Sequence, residues 1–128
     1  MHVSATALSL TVDHPLASAA FLAEHLGFVE AMPPDAEAGF ASMRRDDVGL
    51  WVVLLRRGMP TLPADQRDVH ATGLILALVV DDLEGELARL ESEGVEITMP
   101  LTVEEWGERA FQVRDPNGLV IQLVDWEG

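Results

Sequence analysis

Cysteine and tyrosine are absent from this 128-residue chain, and so is lysine. Without cysteine there is no disulfide framework and no thiolate to ligate a metal or attack a substrate. Aromatic residues make up only 5%, three of them tryptophan. No apolar run approaches the roughly 20 residues that a membrane-spanning helix needs. The N-terminus lacks the basic-then-apolar layout of a secretory signal, so the expected location is cytoplasmic. Basic residues are scarce, 8 against 22 acidic, which gives a net charge of −14. A field of that sign repels nucleic-acid phosphates and anionic membranes, so neither is an expected partner. It suits a cationic partner, or serves solubility alone.

What is present is a repeat. The chain is 48% hydrophobic, enough to form a packed core rather than a disordered coil. Leu8-Ser9-Leu10-Thr11-Val12-Asp13 matches Leu76-Ala77-Leu78-Val79-Val80-Asp81. Each is followed by a helical pattern, with Leu16, Ala19, Ala20, Ala23 and Leu26 on one face in the first copy and Leu83, Leu87 and Leu90 in the second. Both helices are expected to stop at a glycine, Gly27 and Gly94. Asp81-Asp82 stands where a helix N-cap belongs. Strands are expected at 5–12, 28–32, 38–44 and 48–56, then at 73–80, 95–99, 108–114 and 118–125. Asp115-Pro116-Asn117-Gly118 is a hairpin turn, since Asn-Gly tolerates positive φ. The chain therefore reads as one domain, 1–128, with module 1 at about 1–57, a Gly-, Pro- and Asp-bearing linker at about 58–72, and module 2 at about 73–128.

Strand alternation sorts the faces. If Leu8, Leu10 and Val12 pack on the helices, Ala7, Ser9 and Thr11 face the other way, as do Ile75, Ala77 and Val79 in the second copy. The same logic puts Trp51, Val53 and Leu55, and Val120, Gln122 and Val124, on the helix-free face.

The run Phe111 to Leu123, with its Asp-Pro-Asn-Gly turn, and the repeated strand–Asp–helix–Gly pattern resemble the glyoxalase/bleomycin-resistance/dioxygenase superfamily, also called vicinal oxygen chelate. The resemblance covers essentially the whole chain. It implies an α+β fold in which two βαβββ modules form a curved sheet around a cup, with the helices on the convex side. It also implies where a metal would be held in members that use one. A histidine is expected seven residues before His14 and Asp82, and a glutamate seven after Asp115. This chain has Ala7, Ile75 and Gln122 there, with Val53 at the fourth position. Alanine, isoleucine and valine offer no lone pair, and one neutral amide does not hold Zn²⁺, Ni²⁺, Mn²⁺ or Fe²⁺. His2, His14, His25 and His70 fall at the terminus, a helix start, a helix flank and the linker. We therefore expect no metal and no other cofactor.

The metal-free members that this chain resembles bind and sequester antibiotics such as bleomycin and mitomycin, commonly as dimers. The reading is thus a non-enzymatic binding protein, a homodimer, that takes a small-molecule or peptide antibiotic with an aromatic chromophore. The residues expected to line its site are Trp51, Trp106, Ser9, Thr11, Val53, Ile75, Ala77, Gln122 and Val124. An indole face stacks on planar groups and attracts cations. Trp51 also fits plain core packing, Trp106 a hairpin anchor, and Trp126 a packing or dimer contact. Ser42, Gln112 and Arg109 could orient a ligand or be purely structural. The alternative is an enzyme of the same superfamily. One form is a metal-dependent lyase or dioxygenase; the other is a metal-free isomerase with Gln122 or Glu104 assisting proton transfer. A protein–protein module is a third class.

Overall fold

A computed structural model describes residues 1–33 and 39–126. The chain divides into two compact units, Met1–Thr72 and Gly73–Gly128. The first contains β1 (Thr6–Val12), α1 (Pro15–Leu26), β2 (Val29–Glu30), β3 (Phe40–Arg45) and β4 (Leu50–Arg56). The second contains β5 (Ile75–Val79), α2 (Leu83–Ser92), β6 (Met99–Val103), β7 (Glu108–Arg114) and β8 (Val120–Trp126). Both have the order strand–helix–strand–strand–strand, so the expected α+β architecture of two βαβββ modules is the one observed.

Each unit forms a four-stranded sheet, β1-β4-β3-β2 in one and β5-β8-β7-β6 in the other. The first and last strands of each module run parallel, and the remaining pairs are antiparallel. The helix provides the crossover that parallel neighbours require. In unit 1 the helix side of the sheet buries Leu10, Val12, Ala41, Met43, Val52 and Leu54 with Ala19, Leu22 and Leu26 of α1. In unit 2 Phe111, Val113, Ile121 and Leu123 are buried with Leu83 and Leu90 of α2. Among the described residues no helix is long and apolar enough to cross a membrane.

Local chemistry sets the boundaries. Pro15 opens α1, where its missing N–H costs nothing. Asp82 caps α2 by accepting the Gly85 N–H at 3.1 Å. That helix ends in a Schellman motif: the Val95 N–H reaches the Leu90 carbonyl, the Gly94 N–H reaches that of Glu91, and Gly94 has φ 82°. This corrects the strand expected at 95–99. Its first residues complete the helix cap, and pairing with β7 begins at Met99. The β6–β7 register then shifts between Met99 and Thr102, across Pro100, which has no N–H to give the ladder. Strand β3 begins at Phe40; residue 38, its expected start, lies outside the described residues.

Two further expectations change. Leu8, placed on the helix side by alternation, is 46% exposed. The stretch 57–72 is also more than a spacer. The Arg57 N–H donates to the Val12 carbonyl at 3.0 Å and the Ala71 N–H to that of Thr11 at 2.7 Å. The segment thus returns to β1 and belongs to the first unit.

The β7–β8 hairpin is held by one carboxylate. Asp115, buried at 5% exposure, accepts the Asn117 N–H at 3.0 Å and the Leu119 N–H at 2.8 Å. The Gly118 N–H closes the turn on the Asp115 carbonyl at 2.9 Å. Gly118 alone takes positive φ, 83°, so Asn117 is not in the left-handed region. We expect Asp115→Ala to destabilise the protein by about 1–3 kcal/mol, since two backbone donors lose a charged acceptor in a buried place. Urea denaturation measures this directly; an unchanged midpoint would mean that the turn holds without the carboxylate.

Candidate functional site

Directly paired residues project to the same side of a sheet, so the register lays out each helix-free face in rows. In unit 1 the rows are Ala7–Trp51–Arg44, Ser9–Val53–Ser42 and Thr11–Leu55–Phe40. In unit 2 they are Ile75–Val120–Arg114, Ala77–Gln122–Gln112 and Val79–Val124–Ala110, and beyond them lies the pair Trp126–Glu108. The two faces correspond row by row. Val53 and Gln122 occupy the same place in their units, as do Trp51 and Val120.

Each sequence-selected residue can now be placed. Trp51 and Val53 are half-buried in unit 1, with Ser9 exposed beside Val53. Thr11 shares their face but is only 6% exposed, which leaves little of it to meet a ligand. In unit 2 Ile75 and Ala77 are exposed on the edge strand β5, and Gln122 is half-buried on β8. Val124 is 4% exposed. Trp106 lies outside the strands, in the turn before β7, and is 65% exposed. Thus Trp51, Val53, Ser9 and Thr11 share one face. Ile75, Ala77, Gln122 and Val124 share another, with Trp106 at its end.

The polar groups of the second face form one chain. Gln112 Nε2 donates to Gln122 Oε1 at 2.8 Å, and Gln122 Nε2 donates to Glu108 Oε1 at 3.3 Å. Trp106 Nε1 donates to Glu108 Oε2 at 3.0 Å. The link from Gln122 to Glu108 runs diagonally past the Ala110–Val124 pair, and the alanine leaves room for it. Glu108 and Trp126 are members of this face that the sequence reading did not choose. The signal for both was available, because Glu108 has the parity of Gln112 on β7, and the register set by the 115–118 turn pairs 108 with 126.

Arg109 points the other way. It is held by Asp125, with Nε to Oδ1 at 2.7 Å, and by Glu84 of α2. This grip holds the Glu84 carboxyl below its ordinary range, and both carboxylates raise the Arg109 guanidinium above its own. Arg109 therefore ties α2 to the sheet and is not on the face with Gln122.

A metal does not fit the positions that the resemblance assigns to its ligands. Ala7, Val53 and Ile75 have no donor atoms, and the oxygen of Gln122 already accepts from Gln112. Among the described residues no three His, Asp or Glu side chains are grouped to hold an ion.

The sequence model of the Glyoxalase/Bleomycin resistance protein/Dioxygenase superfamily matches residues 2–123. The chain belongs to this superfamily. Among solved structures it is similar to TnmS3, an antibiotic binding protein from Streptomyces sp. CB03234, at 26% identity and TM-score 0.73, with 99% of each chain covered. It is also similar to TioX from Micromonospora sp. ML1, at 23% identity and TM-score 0.72, covering 98% of this chain and 100% of that one. A third is a glyoxalase/bleomycin resistance protein/dioxygenase from Nocardioides, at 20% identity and TM-score 0.73, covering 98% of this chain and 85% of that one. No curated protein matches the sequence closely enough to count as a relative. The superfamily contains both enzymes and proteins that only bind, and the fold alone does not choose between them.

Two carboxyl contacts on this unit can be tested through stability. Gln122→Glu would set a second carboxylate against Glu108, and like charges in contact raise a carboxyl pKa. Because the folded-state value would be raised, the variant's stability relative to the parent should fall as pH rises through it and recover in acid. Thermal melts at acid and neutral pH test this, and a pH-independent difference would contradict the contact. For Glu84 the sign is opposite, since its folded value is lowered. Its contribution is complete above the ordinary value of 4.5 and is lost as pH falls below it. Glu84→Gln should therefore flatten the acid limb of the stability profile; an unchanged limb would remove the ion pair from the account.

Proposed function

We propose that this protein binds a small molecule without a metal and sequesters it, the ligand being an antibiotic or peptide natural product with an aromatic chromophore. The observation that carries this reading is the chemistry of the helix-free faces. Trp51, Val53, Ile75, Ala77 and Val120 make them largely apolar, and Gln122 stands as a hydrogen-bonded amide where the superfamily's metal-using members have a carboxylate. Faces of this kind suit apolar and aromatic ligands oriented by a few directed polar groups. The likeness to TnmS3, an antibiotic binding protein, supports the same reading. Trp51, Trp106, Ser9, Val53, Ile75, Ala77 and Gln122 are the proposed contact residues, with the nearly buried Thr11 and Val124 as the floor behind them, and a homodimer the proposed form.

A second reading, an enzyme of the superfamily that works without a metal, has one observation in its favour. Glu108 is a half-buried carboxylate on the same face as Gln122, where it could accept a proton from a bound substrate.

Titration of the chelator-treated protein with bleomycin, mitomycin and a quinoxaline-bearing peptide antibiotic, read by tryptophan fluorescence, separates these readings. Sequestration predicts saturable quenching by one compound, which is then recovered unchanged; a chemically altered compound would establish the enzyme. If stacking on the indole contributes, Trp51→Ala should weaken binding by about 1–3 kcal/mol. Unchanged affinity would remove Trp51 from the site.

A further inference from the structure

One corner of unit 2 carries a carboxylate, Glu108, that forms no ion pair with any described arginine of that unit. Glu108 lies directly opposite Trp126 across the β7–β8 pair, a place where Cβ atoms are about 4.5–5.5 Å apart. Its carboxylate accepts from the Trp106 indole N–H at 3.0 Å and from the Gln122 amide at 3.3 Å. Both donors are neutral, so they orient the carboxylate and leave its charge in place. The two indoles are 65% and 55% exposed at Trp106 and Trp126, far more than a packing role requires. The turn leading into β7 adds Glu104 and Glu105, both exposed. It is a fixed turn, since the Gly107 N–H closes on the Glu104 carbonyl at 3.0 Å and the Glu104 N–H on that of Glu108 at 2.7 Å.

The cations of unit 2 are directed elsewhere. Arg109 is next to Glu108 in sequence but projects to the opposite side, into Asp125 and Glu84. Arg89 is paired with Glu86 and Glu93 on α2. Arg114 shares the face of Glu108 but lies six residues along β7, which in a strand is roughly 20 Å.

We infer that the Trp106–Glu108–Trp126 corner is a recognition site for a cation on an apolar body, a substituted ammonium or guanidinium, carried by the ligand. The carboxylate attracts the charge, and the indole faces attract it again through their quadrupoles while covering its apolar substituents. This rests on the proposed small-molecule-binding reading and narrows it: the bound compound is basic as well as aromatic. A neutral chromophore would gain no charge attraction from Glu108.

The test is an NMR titration of the full chain with benzyltrimethylammonium, monitoring the tryptophan indole N–H resonances, with benzyl alcohol as the neutral comparison. The expected result is saturable movement of the Trp106 and Trp126 resonances by the cation and little by the alcohol. Glu108→Gln and Trp126→Ala should each weaken the cation by about tenfold. Trp126 is exposed near the end of the last strand, so its variant keeps the test valid if Glu108→Gln perturbs the fold. Equal response to cation and alcohol, or unchanged affinity in a folded Glu108→Gln, overturns the inference. The same probe separates the two proposals. An antibiotic bound by a protein whose Trp106 and Trp126 ignore the ammonium would overturn this inference and leave sequestration standing. Ammonium binding that both variants abolish, in a protein that binds no antibiotic, would uphold the corner and overturn sequestration.

Discussion

The pairing register of β8 is the constraint on which the unit 2 face of the candidate site depends. Strand β8 lies between the parallel edge strand β5 and the antiparallel β7, so its register decides which side chains of three strands share a face. A slip of one residue would send Gln122 and Val124 to the helix side and bring Ile121 and Leu123 out. Two features oppose that slip. The apolar set Phe111, Val113, Ile121 and Leu123 is buried on the helix side, and the turn between the strands is tied to Asp115 by two backbone N–H groups. Everything proposed for unit 2 rests on that arrangement, including the row Ala77–Gln122–Gln112 and the pair Trp126–Glu108.

Given that register, the chemistry of the face turns on one amide. A carboxylate at position 122 would stand against Glu108, and the pair would hold a proton or a cation between them to offset the repulsion. Glutamine removes the charge and turns the same place into a relay, accepting from Gln112 and donating to Glu108. The face becomes neutral at its centre, apolar along β5, and acidic at one end. Ala7, Val53 and Ile75 offer no donor atoms either, and a lone carboxylate on an apolar sheet is costly without a counter-ion.

Much of the fold was legible because one pattern occurs twice, once in each module. The paired motifs around Leu10 and Leu78, the glycines at 27 and 94, and the 115–118 turn each act over a few residues, so local rules sufficed. β6 was misplaced because Val95 to Thr98 looks strand-like while its first N–H completes a helix cap, and Pro100 shifts the β6–β7 register before Thr102. Alternation correctly paired Thr11 with the face of Trp51 and Val53. It could not foresee that the segment ending at Ala71 returns to β1 beside it. The side-chain relay was the least legible part. It joins residues ten and fourteen apart in sequence, Gln112 to Gln122 and Glu108 to Gln122, and depends on Ala110 being small. Arg109 shows the converse, since its parity on β7 already assigned it to the helix side, away from Gln112.

The most direct test of the account is calorimetric titration of the chelator-dialysed protein with the candidate antibiotics, with and without added Zn²⁺, together with the mass of the ligand recovered afterwards. The account predicts one saturable isotherm that is the same with and without zinc, and a ligand recovered at its original mass. Binding that appears only when zinc is present, or a ligand recovered at a changed mass, would contradict it.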